Sequence, residues 1–95
     1  MTDFTNEAQN TFIGNLIDTY VKVPWGFDKC GYGCSDHASW HGQGFAASMP
    51  FEATMSKMNK NIHTPNDKIE ASGSTALHAV NFAKLAIAFA VELDR

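Results

Sequence analysis

The sequence predicts an α/β fold that this chain does not complete by itself. Three observations lead there. The stretch from Thr75 to Leu93 carries apolar residues at helical spacing around much of its girth, and Phe4 to Val21 draws one apolar helix face. Between them FAASMPF, Phe45 to Phe51, is nearly continuously apolar, the pattern of a strand covered on both sides. One strand cannot make a sheet, because its edge groups need a neighbour. The 95 residues therefore read as a helix-rich piece, with one or two strands, of a larger α/β domain.

The elements follow in order. Phe4, Ala8, Phe12, Ile13, Leu16, Ile17 and Tyr20 recur every three or four residues, which predicts a helix that Gly14 weakens and Pro24 stops soon after Val21. VPWGFDKCGYGC has one Pro, three Gly and no steady period, and reads as loop. Ser35 or Asp36 is placed to cap a short helix through about Gly42, with Gly44 as terminator. Phe45 to Phe51 is the predicted strand, running into a turn at Pro50. MSKMNKNIHTPNDKIEASGS is irregular, punctuated by Pro65 and Gly73. The last helix is predicted over 75–93, with Ser74 or Thr75 as N-cap.

Composition narrows the partners. The formal net charge is −3 and the seven Lys and Arg are scattered, so no basic stripe is present to neutralise phosphates. No apolar run approaches the roughly 20 residues of a membrane span. MTDFTNEAQN lacks the basic-then-apolar pattern of a signal peptide. Aromatics at 12% fit an ordinary globular protein. The reading is no nucleic acid and no membrane.

The chemistry concentrates in CGYGCSDHASWH, which holds both cysteines and two of the four histidines. Cys30, Cys34, His37 and His41 are the residue types of a zinc finger, but the finger spacing leaves about a dozen residues between the pairs. Here only Ser35 and Asp36 intervene. His37 and His41 share a helix face at i and i+4, yet no Glu follows the first His, so the metalloprotease signature is missing. The cysteines are either a disulfide or two free thiols. A bridge would close a small loop around Gly31, Tyr32 and Gly33, with the glycines supplying unusual backbone angles, and the disulfide is the favoured reading. It would hold Tyr32 at the loop tip and imply an oxidising compartment. His63, in IHTPNDK, is either a surface loop residue or a metal ligand supported by Thr64 and Asp67. His78 reads as solvated, and Asp36 and His37 as residues that hold the loop together.

Taken together, CGYGCSDHASWHGQGFAASMPFEA followed by NIHTPNDKIEASGSTALHAVNFAKLAIAFAVEL resembles the C-terminal third of the secreted bacterial leucyl aminopeptidases, the co-catalytic zinc metallopeptidases of the Vibrio/Aeromonas type. The resemblance runs from about Thr2 to Leu93, and its most specific blocks are CGYGCSDHASWH, MPFE and IHT. It implies a three-layer fold, a mixed and mostly parallel sheet flanked by helices, with residues 1–95 forming the C-terminal portion of the catalytic domain. It implies two zinc ions per complete enzyme, a bridging water and a Glu general base acting on the carbonyl after the N-terminal residue. His63 inherits the role of a zinc ligand. Cys30 and Cys34 inherit a disulfide, and Tyr32 a contact to the substrate that helps stabilise the transition state. The pocket for the N-terminal side chain maps onto Cys30, Tyr32, Cys34, Met49, Phe51, Met55, Met58 and Ile62. Members of the family often carry aromatics at Met55 and Met58; methionine is adaptable, so a preference for bulky apolar residues survives the change.

The resemblance also marks what this chain lacks: the other zinc ligands and the Glu base fall on no matching block, so Met1 reads as an engineered or reassigned start. The expectation is a secreted or periplasmic parent aminopeptidase acting on peptides, and a fragment that is inactive alone and prone to self-association. Two other classes remain open. One is a stand-alone module gripping a peptide or apolar ligand through the CGYGC loop and Met49, Met55 and Met58. The other is a small zinc-stabilised domain built on Cys30, Cys34, His37 and His41.

Overall fold

The computed structural model describes all residues, 1–95. Helix α1 spans Glu7–Leu16. It starts three residues later than the apolar period suggests, because Phe4 takes a left-handed backbone (φ 55°) and Asn6 caps the helix. The Asn6 carboxamide accepts the Gln9 amide at 2.8 Å. The reverse half of this capping arrangement is absent: Gln9 donates to Ser48 Oγ, and the Asn6 amide donates to Ala47 O at 2.8 Å. The helix start is thereby tied to the middle of the chain.

Past Leu16 the helix widens into a π-turn, Ile17–Val21, closed by Lys22 in the left-handed region (φ 61°), whose amide returns to Ile17 O. The end at Val21 agrees with the stop that Pro24 predicts. Helix α2 spans Asp36–Gly42, with Ser35 at the N-cap position and Gly44 (φ 86°) just beyond the end. A short 3-10 turn covers Ile69–Ser72. Helix α3 spans Ala79–Leu93. Its start is four residues later than predicted: Ser74 is left-handed and the Thr75 hydroxyl accepts the Leu77 amide, so both build a turn ahead of the helix instead of capping it.

The predicted strand at Phe45–Phe51 does not form, and the chain contains no strand. The segment's backbone partners are single contacts and not a ladder. Phe45 N donates to Trp40 O, Ala47 O accepts from Asn6, and Met49 O accepts the Met1 ammonium. Apolar character alone does not make a strand; a second extended segment in register does. Nor is the segment covered on both sides, since Ala47 is buried while Phe45 is 59% exposed.

The core lies where α1 and the π-turn pack on α3. Leu16, Val21, Leu85 and Ala88 are its buried residues, flanked by Phe12, Ile13, Ile17, Val23 and Phe89. Phe12 and Phe89 meet with ring centroids 5.8 Å apart. Gly14 is buried against the six-membered ring of Trp25. The indole N–H of Trp25 donates to Asp18 at 2.8 Å, and its ring meets Phe27 edge-on at 5.2 Å. Only seven of the 95 residues are buried, while Leu77, Phe27 and Ile87 are 73%, 66% and 66% exposed. Such a ratio of bare to covered apolar surface is that of part of a larger body.

Candidate functional site

Cys30 and Cys34 are joined by a disulfide. Their thiolates are thus not available as metal ligands, which removes the four-residue zinc site. His37 is buried with no hydrogen-bond partner on either ring nitrogen, while His41 is exposed and meets Phe4 edge-on. One ring thus lies inside the fold and the other outside it.

The disulfide loop is held from outside itself. Asp3 Oδ1 accepts the Cys30 amide at 3.1 Å and Asp3 Oδ2 the Gly31 amide at 2.7 Å. Gly31 takes φ 87°, a conformation that side chains other than glycine's resist. Gly33 passes close to α2: a Cβ there would stand 3.1 Å from that of Ala38. Between the glycines Tyr32 projects to solvent, 60% exposed, at the loop tip as the sequence predicts. Met49 reaches the loop, with its sulfur 3.8 Å from Cys34 Sγ, a van der Waals contact because a disulfide sulfur has no proton to donate.

A second attachment brings in the 52–67 region. Asp28 Oδ2 accepts the Met55 amide at 2.7 Å, and Lys60 Nζ donates to Met55 O at 2.6 Å. Met55 and Met58 are half-buried. Both carboxyls titrate below their ordinary value of 3.8. For Asp28 the Met55 amide is the main cause; for Asp3 desolvation pulls upward, and the bonds from Gly31 and Cys30 outweigh it. Neither role was legible in the sequence, because Asp3 lies 27 residues from the first amide it holds. The available signal was only an acidic residue, Asp28, next to a Gly- and Cys-rich turn.

His63 sits on the exposed loop beyond Ile62, with a left-handed backbone (φ 65°). For a non-glycine residue this is a strained conformation of the kind that collects at functional sites. The predicted supports for its ring do not serve it. Thr64 Oγ1 donates to Asn61 O at 2.6 Å and Asp67 accepts from Asn59 at 2.8 Å, so both stitch the loop to itself. No three His, Cys, Asp or Glu side chains converge where a metal ion would sit. A zinc site takes about three protein ligands. The residues of this chain do not by themselves fit one.

Of the predicted pocket residues, the structure therefore draws Cys30, Cys34 and Met49 together and ties the Met55 backbone to Asp28, two residues before Cys30. Met49 and Phe51 also line a separate apolar cleft of about 570 Å³, between α1, α3 and the non-helical segments 23–28 and 48–54. That cleft contains no loop residue from Cys30 to Cys34 and not His63. No helix is long and apolar enough to cross a membrane.

Known proteins share this arrangement. The chain is 45% identical over 93 residues to leucine aminopeptidase 1 of Emericella nidulans, covering 98% of this chain and 23% of that protein. It is 39% identical to leucine aminopeptidase 1 of Aspergillus fumigatus, with 98% and 24% covered. Among solved structures it matches the LapA aminopeptidase of Legionella pneumophila with a TM-score of 0.86 and 42% identity, over 97% of this chain and 24% of that one. LapB from the same organism gives 0.85 and 39%, over 97% and 25%. The chain spans about a quarter of the length of these relatives. The model of peptidase family M28 matches residues 3–88. This chain belongs to peptidase family M28.

Proposed function

We propose that this chain is the C-terminal part of a secreted or periplasmic zinc aminopeptidase that releases bulky apolar residues from the N-termini of peptides, and that it is inactive alone. One observation carries the reading: nearly the whole chain matches leucine aminopeptidases while spanning about a quarter of their length. In this reading the remainder of the catalytic domain supplies the strands of a three-layer α/β fold, covers the apolar cleft beside α1 and α3, and brings most ligands for two zinc ions together with the general base. His63 contributes one ligand from its strained loop position. When bound, zinc would activate a water and polarise the peptide carbonyl. Tyr32, held out by the disulfide loop, contacts the substrate near the reacting carbonyl. Cys30, Cys34, Met49, Phe51, Met55, Met58 and Ile62 form the pocket for the departing side chain. Methionines at 55 and 58 make that pocket adaptable, which suits leucine, methionine and phenylalanine alike. Uncovered, the apolar faces of this chain drive self-association.

The test is a chimera in which this chain replaces its counterpart in LapA, assayed on leucine p-nitroanilide with and without a zinc chelator. The expected result is chelator-sensitive release of leucine by the chimera and none by the 95-residue chain alone. A folded, zinc-loaded chimera without activity, or an active chain alone, would overturn the reading.

A further inference from the structure

We infer that Asp3 and Asp28 are positioning residues for the substrate-facing surface: Asp3 fixes the loop that presents Tyr32, and Asp28 fixes the Met55 wall beside it. The inference rests on the roles proposed above for Tyr32 and Met55, and the geometry argues it in steps.

Asp3 binds the loop at two points, one carboxylate oxygen to each of two successive amides, Cys30 and Gly31. A two-point attachment fixes the direction of the peptide plane as well as its distance, and Tyr32 is the next residue along. A carboxylate acceptor makes these bonds short and strong relative to neutral ones. Asp28, two residues before Cys30, takes the Met55 amide, while its own carbonyl takes the Thr2 amide at 2.9 Å. Thr2 and Asp3 thus run along 28–31 and pin it at three points, and Asp28 passes the restraint on to Met55. The disulfide closes the loop but does not orient it; the carboxylates do.

Neither carboxylate has another task. The chain's ion pair is Arg95–Glu92, far along the sequence, and no Lys or Arg meets Asp3 or Asp28. The charged and titratable groups that face them are few. Asp3 feels the His37 imidazole and the Met1 ammonium; Asp28 feels the same ammonium and Asp3 itself. The two carboxylates repel each other, Asp3 raising the titration of Asp28, and the backbone N–H groups that bind them outweigh that repulsion. The lowered titration of both agrees with that binding.

The experiment is proton–nitrogen NMR of the full 95-residue chain, titrated from neutral pH down through the carboxylate range, with Asp3→Asn, Asp28→Asn and the conservative Asp3→Glu. The amides of Cys30 and Gly31 and the ring protons of Tyr32 are expected to move together, with one midpoint below 3.8, and the Met55 amide to follow Asp28. Asp3→Asn removes the step at Cys30, Gly31 and Tyr32, leaves that at Met55, and speeds Gly31 amide exchange about fivefold or more. Asp28→Asn does the reverse, and Asp3→Glu restores part of the Tyr32 shift. A Tyr32 ring that ignores Asp3→Asn while the Gly31 amide responds would reduce Asp3 to a structural bond and overturn the inference. So would undispersed Cys30, Gly31 and Met55 amides in the unaltered chain. In the LapA chimera, Asp3→Asn is expected to lower kcat more than it raises KM. An inactive unaltered chimera would refute the aminopeptidase reading, while the amide titration still decides the role of the carboxylates.

Discussion

Gly14 looks like a weak point of α1, and replacing it with alanine should by helix propensity alone stabilise the chain by about 1 kcal/mol. The structure predicts the opposite sign. A Cβ on Gly14 would stand 2.5 Å from both Cη2 and Cζ2 of Trp25. Carbon atoms rest at about 3.5 Å or more, so the ring must retreat by roughly 1 Å. That ring is not a free end. Its N–H bonds Asp18 at 2.8 Å, and a 1 Å retreat stretches the bond to about 3.8 Å, beyond a hydrogen bond. The edge-on contact to Phe27 shifts with it. Losing the bond costs about 1 kcal/mol, and overpacking costs about 1–3 kcal/mol. Against the propensity gain, Gly14→Ala is expected to destabilise by about 1–3 kcal/mol. The assay is urea unfolding followed by circular dichroism, run as a double-mutant cycle with Trp25→Ala. In the Trp25→Ala background the same substitution should become stabilising by about 1 kcal/mol. A stabilising Gly14→Ala in the unaltered chain, or no coupling between the two sites, would refute the argument.

Three further outcomes are expected. Leu85→Ala should cost about 2–3 kcal/mol in the same unfolding assay, the lower part of the usual range, because its half-buried neighbours Phe12, Ile13 and Phe89 can close on the space; a cost under 1 kcal/mol would mean that α1 and α3 do not share a core. His37→Leu should be neutral or stabilising by up to about 1 kcal/mol, since it removes two buried ring nitrogens that have no partner; a clear loss of stability would show that the imidazole is engaged. Acid should weaken the chain through Asp3 and Asp28. Their folded carboxyls titrate below 3.8, so their contribution is complete above that pH and is lost as pH falls through the depressed values. Stability measured against pH should therefore decline below 3.8 in the parent chain and less so in an Asp3→Asn, Asp28→Asn double variant, and an identical decline in both would count against it.

By itself the sequence determined the local and periodic features. The faces of α1 and α3, the stop before Pro24, the short helix after Ser35 and the disulfide loop that exposes Tyr32 are all set by residues close in the chain, where spacing and backbone preference act directly. Tertiary structure decided everything that depends on a distant partner. Phe45–Phe51 has the composition of a strand, but a strand is made by its neighbour, and this chain supplies only single bonds from Met1 and Asn6. Gly14 carries a meaning that spacing could not supply, because Trp25 folds back over it. Thr64 and Asp67 sit beside His63 in sequence yet bond elsewhere, while Asp3, 27 and 28 residues from the amides it holds, proves to grip the loop. Hydrogen bonds of that separation depend on how the whole chain closes, and no local pattern records them.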